Sequence, residues 1–147
     1  MIVLVFGYRA YPRLDLVERF VDSLPKGTMV ISGWNGDISE KNDVDKTAIL
    51  RARARELQTK TFPAYWTLDG RAAGPLRNSR MVKYLLERRN LVGDLVTAVG
   101  FDHALSKGTK DTIKKTLDAG ILSLVLDEHG KTTYTTGFWE ARKHESL

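Results

Sequence analysis

The stretch IVLVF at residues 2–6 is a short, uninterrupted run of apolar side chains rich in β-branched residues. A run of this length is typical of a strand that is buried on both faces, as in a parallel sheet. A second buried run, TMVIS, covers residues 28–32, and the segment between the two runs has apolar residues at helical spacing until Pro25. Strand, helix and strand in this order predict the start of a parallel α/β fold.

The same alternation continues along the 147 residues of the chain. The spacing predicts further helices at 42–59, 75–89 and 108–120, and further strands at 60–66, 94–100, 122–127 and, weakly, 130–136. We therefore predict an α/β fold of Rossmann-like, doubly wound type. Its mostly parallel sheet has five to six strands with helices on both faces. Residues 1–137 form one domain in this prediction, and residues 138–147 form a polar tail.

Composition narrows the class of protein. Cysteine is absent, which excludes disulfides and thiolate metal sites and favours a reducing cytoplasm. No apolar run of about 18 residues indicates a membrane span, and the N-terminus resembles a strand more than a signal peptide. No spacing of His, Asp or Glu indicates a metal, and no motif calls for a cofactor. The net charge of +5 permits an anionic partner without requiring one.

The candidate site residues lie in loops that follow predicted strands or precede predicted helices. Ligands of open α/β sheets bind beyond the carboxyl ends of the strands. Glycine-rich turns, helix N-termini and arginines in such loops are suited to phosphate. We expect Arg77 and Arg80 in the first turn and a half of the 75–89 helix, and Thr109 as a cap of the 108–120 helix. The candidate ligand-binding residues are Gly7, Tyr8, Arg9, Gly33, Trp34, Gly36, Arg77, Arg80, Gly108 and Thr109.

Each of these residues also has a structural interpretation. The glycines can serve as tight turns alone, and lone arginines commonly pair with nearby carboxylates. Trp34 either stacks on a base or sugar or covers the edge of the core. Asp111, near the start of its predicted helix, suits the helix dipole as well as a site. The residues by themselves leave these alternatives open.

The order of the motifs resembles the SLOG superfamily, most closely its YspA-like branch, over about residues 2–127. The pieces that carry the resemblance are VLVFGYR, VISGWNG, FPAYW with GRAAGPLRNSRM, and KGTKD, of which GRAAGPLRNSRM is the most specific. The superfamily includes the Lonely Guy phosphoribohydrolases and, more distantly, the DNA-processing DprA proteins. The resemblance implies a Rossmann-like domain whose pocket holds a nucleotide-derived ligand.

Lonely Guy enzymes have an Arg-Lys-x-x-Met motif with a catalytic arginine and a Gly-Gly-x-Gly-Thr-x-x-Glu motif that binds phosphate. By this resemblance Arg77 is the catalytic arginine, with Asn78 in place of the lysine, and Gly108 begins the Gly-Thr pair. Asp111 stands one place before the position of the acid, which Thr112 occupies. The sequence HALSK replaces the preceding glycines, and residues 37–45 form an apparent insertion.

Three functions follow from these observations. The first is binding or sensing of a nucleotide-derived small molecule. The second is N-glycosidic hydrolysis of nucleoside monophosphates, with Arg77 and Asp111 as catalytic residues. The third is binding of single-stranded DNA, suggested by the net charge and the basic runs RARAR at 51–55 and LERRN at 86–90. Self-association into a homo-oligomer is common among the relatives and is left open.

Overall fold

The structure, a computed structural model, describes residues 1–103 and 106–135. The predicted tail at 138–147 lies outside the described residues. The strands are β1 (Ile2–Gly7), β2 (Met29–Ser32), β3 (Gln58–Thr61), β4 (Val96–Phe101), β5 (Ser123–Leu126) and β6 (Thr132–Thr135). The helices are α1 (Leu14–Asp22), α2 (Val44–Ala54), α3 (Trp66–Asp69), α4 (Ala73–Glu87) and α5 (Lys107–Asp118). A 3₁₀ turn at Gly70–Ala72 leads into α4, and a π turn at Arg88–Val92 follows it.

The six strands form one sheet in the order β3-β2-β1-β4-β5-β6. The pairs from β3 through β5 are parallel, and β6 is antiparallel to β5 at one edge. The chain thus builds the sheet outward from β1 through β2 to β3, then returns to the other side of β1 with β4. The prediction of an α/β fold with a mostly parallel sheet of five to six strands is confirmed.

Strand β1 supplies core residues to both faces of the sheet. Its side chains alternate, so that Val3 and Val5 belong to a cluster with residues of α1 and α2. Ile2, Leu4 and Phe6 belong to a second cluster with residues of α4 and α5. Burial of both faces is the reason that this strand is continuously apolar, as parallel strands between helices usually are.

Polar side chains mark the starts of two helices. Asp43 caps α2, because its Oδ1 accepts a hydrogen bond from the Lys46 N–H at 2.8 Å. Ser106 caps α5, and its Oγ accepts from the Thr109 N–H at 3.4 Å. The expectation that Thr109 is the cap is therefore wrong: the cap is Ser106, three residues earlier, which puts Thr109 inside the first turn.

Three further elements differ from the sequence prediction in position. Helix α2 ends at Ala54 and not at 59, so residues 58 and 59 belong to strand β3. Strand β3 covers Gln58–Thr61 and does not continue to 66, and it lies at one edge of the sheet with Pro63 beyond its end. Helix α4 begins at Ala73 and not at 75. Arg77 and Arg80 are consequently the fifth and eighth helical residues. They lie in the second and third turns, where the charge of the helix N-terminus is weaker.

None of the helices within residues 1–103 and 106–135 has both the length and the apolar character needed to cross a bilayer.

Candidate functional site

A large open cleft lies at the carboxyl ends of the parallel strands and has a volume of about 1140 Å³. Its walls come from the loops after β1 and β2, the start of α2, the 66–78 region and the first half of α5. The cleft adjoins β1 and β4, where the strand order reverses, and such crevices are where open α/β sheets bind ligands. The volume is ample for a small organic molecule. A smaller depression of about 270 Å³, which Leu14 and Arg51 help to line, lies between α1 and α2.

The guanidinium of Arg77 is held in the cleft by two neutral oxygen atoms. Its Nη1 donates to the carbonyl oxygen of Gly33 at 2.8 Å, and its Nε donates to Oδ1 of Asn78 at 3.1 Å. The side chain is half-buried. Among the described residues, no carboxylate lies within the 4 Å of an ion pair with it. Arg77 is thus oriented without being neutralised by direct contact.

Two glycines make close approaches that an added side chain would disturb. A Cβ at Gly33 would lie 2.6 Å from Cζ of Arg77, so glycine leaves the space that the guanidinium occupies. A Cβ at Gly7 would lie 2.5 Å from the carbonyl oxygen of Phe101 and 2.9 Å from a methyl carbon of Val44. Gly33 therefore serves the arginine of the cleft, and Gly7 serves the packing of β1 against β4 and α2.

Asp45, at the start of α2, is the unusual carboxyl group of the cleft. Burial raises its pKa to about 7, and the negative charge of Asp43 adds to the rise. The positive charges of Arg77 and Arg9 act in the opposite direction without offsetting burial. Its Oδ1 is buried and has no hydrogen-bond partner among the described residues. With its pKa raised in this way, Asp45 keeps its proton to a higher pH than an ordinary aspartate, and the acid form can both donate and accept hydrogen bonds.

Cationic side chains outnumber acidic ones around the cleft. The cationic residues are Arg9, Lys41, Arg71, Arg77, Lys107, Lys110 and Lys114, and the acidic residues are Glu40, Asp43, Asp45 and Asp111. Within residues 1–103 and 106–135, Lys114 is the one cation of this set in an ion pair, 3.8 Å from Asp118. A cleft of this kind attracts anions, because its positive charges are not cancelled locally.

The N-terminal turn of α5 opens on the cleft through Ser106, Lys107, Gly108 and Lys110. The first N–H groups of a helix have no acceptor within the helix and carry partial positive charge. The Gly108 position is open, since a Cβ there would meet no atom within 4 Å. This end of the cleft combines backbone donors with lysine side chains, a combination suited to an anion.

Asp111 is tied to its neighbours in the structure. Its Oδ2 accepts from Lys115 Nζ at 2.6 Å and from Asn78 Nδ2 at 3.0 Å. The same lysine also donates to the carbonyl oxygen of Pro75 at 2.8 Å. These contacts join α5 to α4 and continue through Asn78 to Arg77. Asp111 lines the cleft, and its Oδ2 holds the Asn78 side chain, which in turn accepts a hydrogen bond from Arg77.

The structure brings most of the predicted site residues together. Those that line the cleft are Gly7, Tyr8, Arg9, Gly33, Trp34, Arg77, Gly108 and Asp111. Tyr8 packs edge to face on the ring of His103, and Arg9 lies over the ring of Trp66 at 5.9 Å. Trp34 is only 4% exposed and packs in the core cluster under α2, with Arg53 over its ring. Of its two predicted interpretations, the structure places it in the core.

Three predicted residues do not line the cleft. Gly36 is in the exposed loop after β2, with a φ of 89°. Arg80 turns away, because its Nη2 donates to the carbonyl oxygen of Pro63 at 2.6 Å and its guanidinium lies over Tyr65. Thr109 is 2% exposed, and its hydroxyl is hydrogen-bonded to Ser106 Oγ at 3.0 Å.

The two basic runs are engaged within the chain. In RARAR, Arg51 pairs with Asp22 at 2.7 Å, and Arg55 donates to the carbonyl oxygens of Val21 and Leu24. In LERRN, Arg88 pairs with an aspartate, and Arg89 donates to two carbonyl oxygens at the end of α5. These contacts hold elements together and do not form a continuous free basic surface.

The described parts of the chain contain no group of three or more His, Asp or Glu side chains placed to hold a metal ion.

Several cleft residues escaped the sequence analysis. Asp45 follows the capping Asp43 and resembles an ordinary acid in a helix first turn, so no local signal distinguishes it. The lysines of α5 did leave a signal, because Lys107, Lys110 and Lys114 have the three- and four-residue spacing that aligns side chains on one helix face. Trp66 belongs to a short helix that the sequence pattern did not reveal.

Comparisons with protein-family models, with curated proteins and with solved structures found no match for this chain.

Proposed function

We propose that the protein is a Rossmann-like, doubly wound domain of SLOG type that binds a nucleotide-derived, phosphate-bearing small molecule in the cleft. The reversal of strand order beside β1 supports the doubly wound assignment. The order of the sequence motifs supports the SLOG assignment, which rests on resemblance alone.

The observation that carries the proposal is the state of Arg77. Two neutral oxygen atoms orient its guanidinium, so its charge and its remaining N–H groups are available to a ligand. A guanidinium pre-oriented in this way is suited to phosphate, since its planar donors match two phosphate oxygens and little further ordering is needed. The lysines at the start of α5 add positive charge to the same cleft.

The size and lining of the cleft favour a phosphate ester over inorganic phosphate. A volume of about 1140 Å³ greatly exceeds the needs of a phosphate group. Trp66 lines the cleft with 45% of its surface exposed, and the Arg9 guanidinium lies over its ring at 5.9 Å, so the two planar groups together offer a surface on which a base can stack. This role passes to Trp66 because the ring of Trp34 is buried in the core.

Calorimetric titration tests the proposal with adenosine, AMP, ADP-ribose and inorganic phosphate as probes. We expect AMP or ADP-ribose to bind, adenosine to bind much more weakly, and Arg77→Gln to reduce affinity roughly tenfold to hundredfold, as loss of a charged hydrogen bond does. The matched control is Arg19→Gln, which removes the same charge from a side chain on α1 that is 74% exposed. Equal effects of the two substitutions, or no binding of either nucleotide by folded protein, would refute the proposal.

Hydrolysis of the N-glycosidic bond is a separate possibility, and it can be tested with the same protein and AMP. The contacts of Asp111 with Lys115 and Asn78 favour a supporting role over proton transfer through its Oδ2. Chromatography of AMP incubated with the protein detects free adenine if turnover occurs. If the wild-type protein releases adenine from AMP and Arg77→Gln does not, the proposal extends from binding to catalysis at this cleft.

A further inference from the structure

Lys46, in the first turn of α2, is a lysine with almost no exposed surface. It is 4% exposed, and no carboxylate of the described residues lies within the 4 Å of an ion pair with it. Its Nζ donates instead to two carbonyl oxygens, those of Ile38, at 2.7 Å, and of Glu40. Lysine is almost never fully buried unless it is paired, so these two bonds are what stabilises the ammonium group inside the protein.

The position of Lys46 is unfavourable for α2 itself. The N-terminus of a helix carries partial positive charge, which repels a cation in the first turn. The capping side chain of Asp43 accepts from the backbone N–H of Lys46, which fixes the base of the lysine side chain. A buried cation that opposes the helix dipole is explained by the segment that it holds, and Lys46 holds the loop that precedes its own helix.

The 37–41 loop depends on Lys46 for its position. All five of its residues are exposed. Within the loop, the Ser39 N–H and hydroxyl donate to Oδ1 of Asp37 at 2.9 and 2.7 Å, and the Glu40 N–H donates to the carbonyl oxygen of Asp37 at 3.2 Å. Hydrogen bonds from Ser39 lower the pKa of Asp37, and the positive charge of Lys46 lowers it further. In the described part of the chain, no hydrogen bond other than those of Lys46 ties residues 37–41 to the rest of the fold.

This loop carries charge into the cleft. Glu40 and Lys41 both line it. Among the described residues, Lys41 is the one cation that the wall between β2 and α2 contributes, and it belongs to no ion pair there. Its charge can therefore act on an anion in the cleft only if the loop keeps its place, and Lys46 is the residue that keeps it there.

We propose that Lys46 is a positioning residue of the cleft, which fixes the 37–41 loop through the carbonyl oxygens of Ile38 and Glu40 so that Lys41 contacts the anionic ligand. Lys41 is then a ligand-binding residue in addition to Arg77. Lys46 acts through Lys41 and not by touching the ligand, because its ammonium group is buried and bound to the loop. The proposal rests on the proposed function, since it needs an anionic ligand in the cleft.

A double-mutant cycle, measured by calorimetry with AMP and ADP-ribose, tests whether the two lysines act as one unit. Lys41→Gln should weaken binding roughly threefold to tenfold, and Lys46→Met should lose most of the same factor. The double variant should bind no more weakly than Lys41→Gln, because the anchor has no effect once the contact is gone. Lys26→Gln, which removes the same charge from an exposed loop before β2, is the matched control and should bind as the wild-type protein does.

Proteolysis without ligand tests the anchor separately. A glutamate-specific protease should cleave after Glu40 roughly tenfold faster in Lys46→Met than in the wild-type protein, because two charged hydrogen bonds that hold the loop are lost. Cleavage after Glu56, an exposed residue beyond the end of α2, should keep its rate. Equal rates of cleavage after Glu40 in the two proteins would overturn the role of Lys46.

The binding outcomes separate this proposal from the proposed function. If Lys41→Gln binds as tightly as Lys26→Gln, or if the losses from Lys41→Gln and Lys46→Met add in full, the proposal is wrong, while a loss in Arg77→Gln would still support the phosphate site. Binding of neither nucleotide refutes both. Lys41→Gln changes an exposed side chain, so it tests the ligand contact even if thermal unfolding shows that Lys46→Met does not fold.

Discussion

Replacing Asp45 by Asn should stabilise the folded protein above neutral pH. The substitution keeps the size of the side chain and removes a carboxyl whose pKa burial raises from 3.8 to about 7. Between these two values the folded protein holds a proton that the unfolded chain releases. The free energy of unfolding of the wild-type protein therefore falls as pH rises through this range. The loss of folding stability that comes from ionising this carboxyl is complete above about pH 7 and disappears below about pH 4.

The size of the effect follows from the pKa change. A rise from 3.8 to about 7 at about 1.4 kcal/mol for each pKa unit sets an upper limit of about 4 kcal/mol. The residue is partly exposed and opens on the cleft, so solvent screens part of this cost. We expect Asp45→Asn to be more stable than the wild-type protein by roughly 2 kcal/mol above pH 7. The difference should shrink to near zero at about pH 4.

Urea unfolding at several pH values measures this difference directly. Asp118→Asn, which removes a carboxyl that is 67% exposed from α5, controls for the change in net charge. Arg77→Gln provides a second check, because loss of the favourable arginine should raise the pKa of Asp45 further. A stability difference between Asp45→Asn and the wild-type protein that stays constant with pH would refute the reasoning. So would a variant that is less stable than the wild-type protein at pH 8.

Two further predictions concern particular contacts. Gly33→Ala should displace the Arg77 guanidinium and cost about 1 kcal/mol of stability. Gly74→Ala should be neutral or stabilising by up to about 1 kcal/mol, because a Cβ at Gly74 meets only an ordinary contact at 3.5 Å. Chemical denaturation of the two variants distinguishes them, and equal effects would contradict the clash at Gly33. Burial raises the pKa of Tyr11, whose hydroxyl donates to the carbonyl oxygen of Asp127 at 2.6 Å, to about 12. An ultraviolet titration should therefore show a late-ionising tyrosine that is lost in Tyr11→Phe; persistence of that component would assign it to another residue.

The fold class was accessible from the sequence because it depends on local patterns. The continuous apolar runs of β1 and β2 indicate strands with two buried faces, and Pro25 marks the end of the segment that contains α1. The weakest prediction was β3, which is a polar edge strand of four residues. The apolar residues after it resemble a strand in the sequence, but Phe62 packs on the second core cluster from beyond the end of β3.

The general position of the cleft was also accessible, since parallel strands place the loops at their carboxyl ends along one edge of the sheet. Gly7, Gly33, Arg77 and Gly108 come from four separate segments and line one cleft. Knowledge of the fold class and of the loop composition is sufficient to expect this convergence.

The sequence by itself determined the alternation of elements, the mostly parallel sheet and the loops that border the cleft, because hydrophobic periodicity and turn residues act over a few neighbouring positions. The tertiary structure alone decided that Arg77 faces the cleft while Arg80 bonds to the carbonyl oxygen of Pro63. It also decided that one carboxyl oxygen of Asp45 is buried without a partner among the described residues, and that burial raises the pKa of this group to about 7. These properties depend on atoms far apart in the chain, since burial and the choice of a hydrogen-bond partner are set by packing between elements.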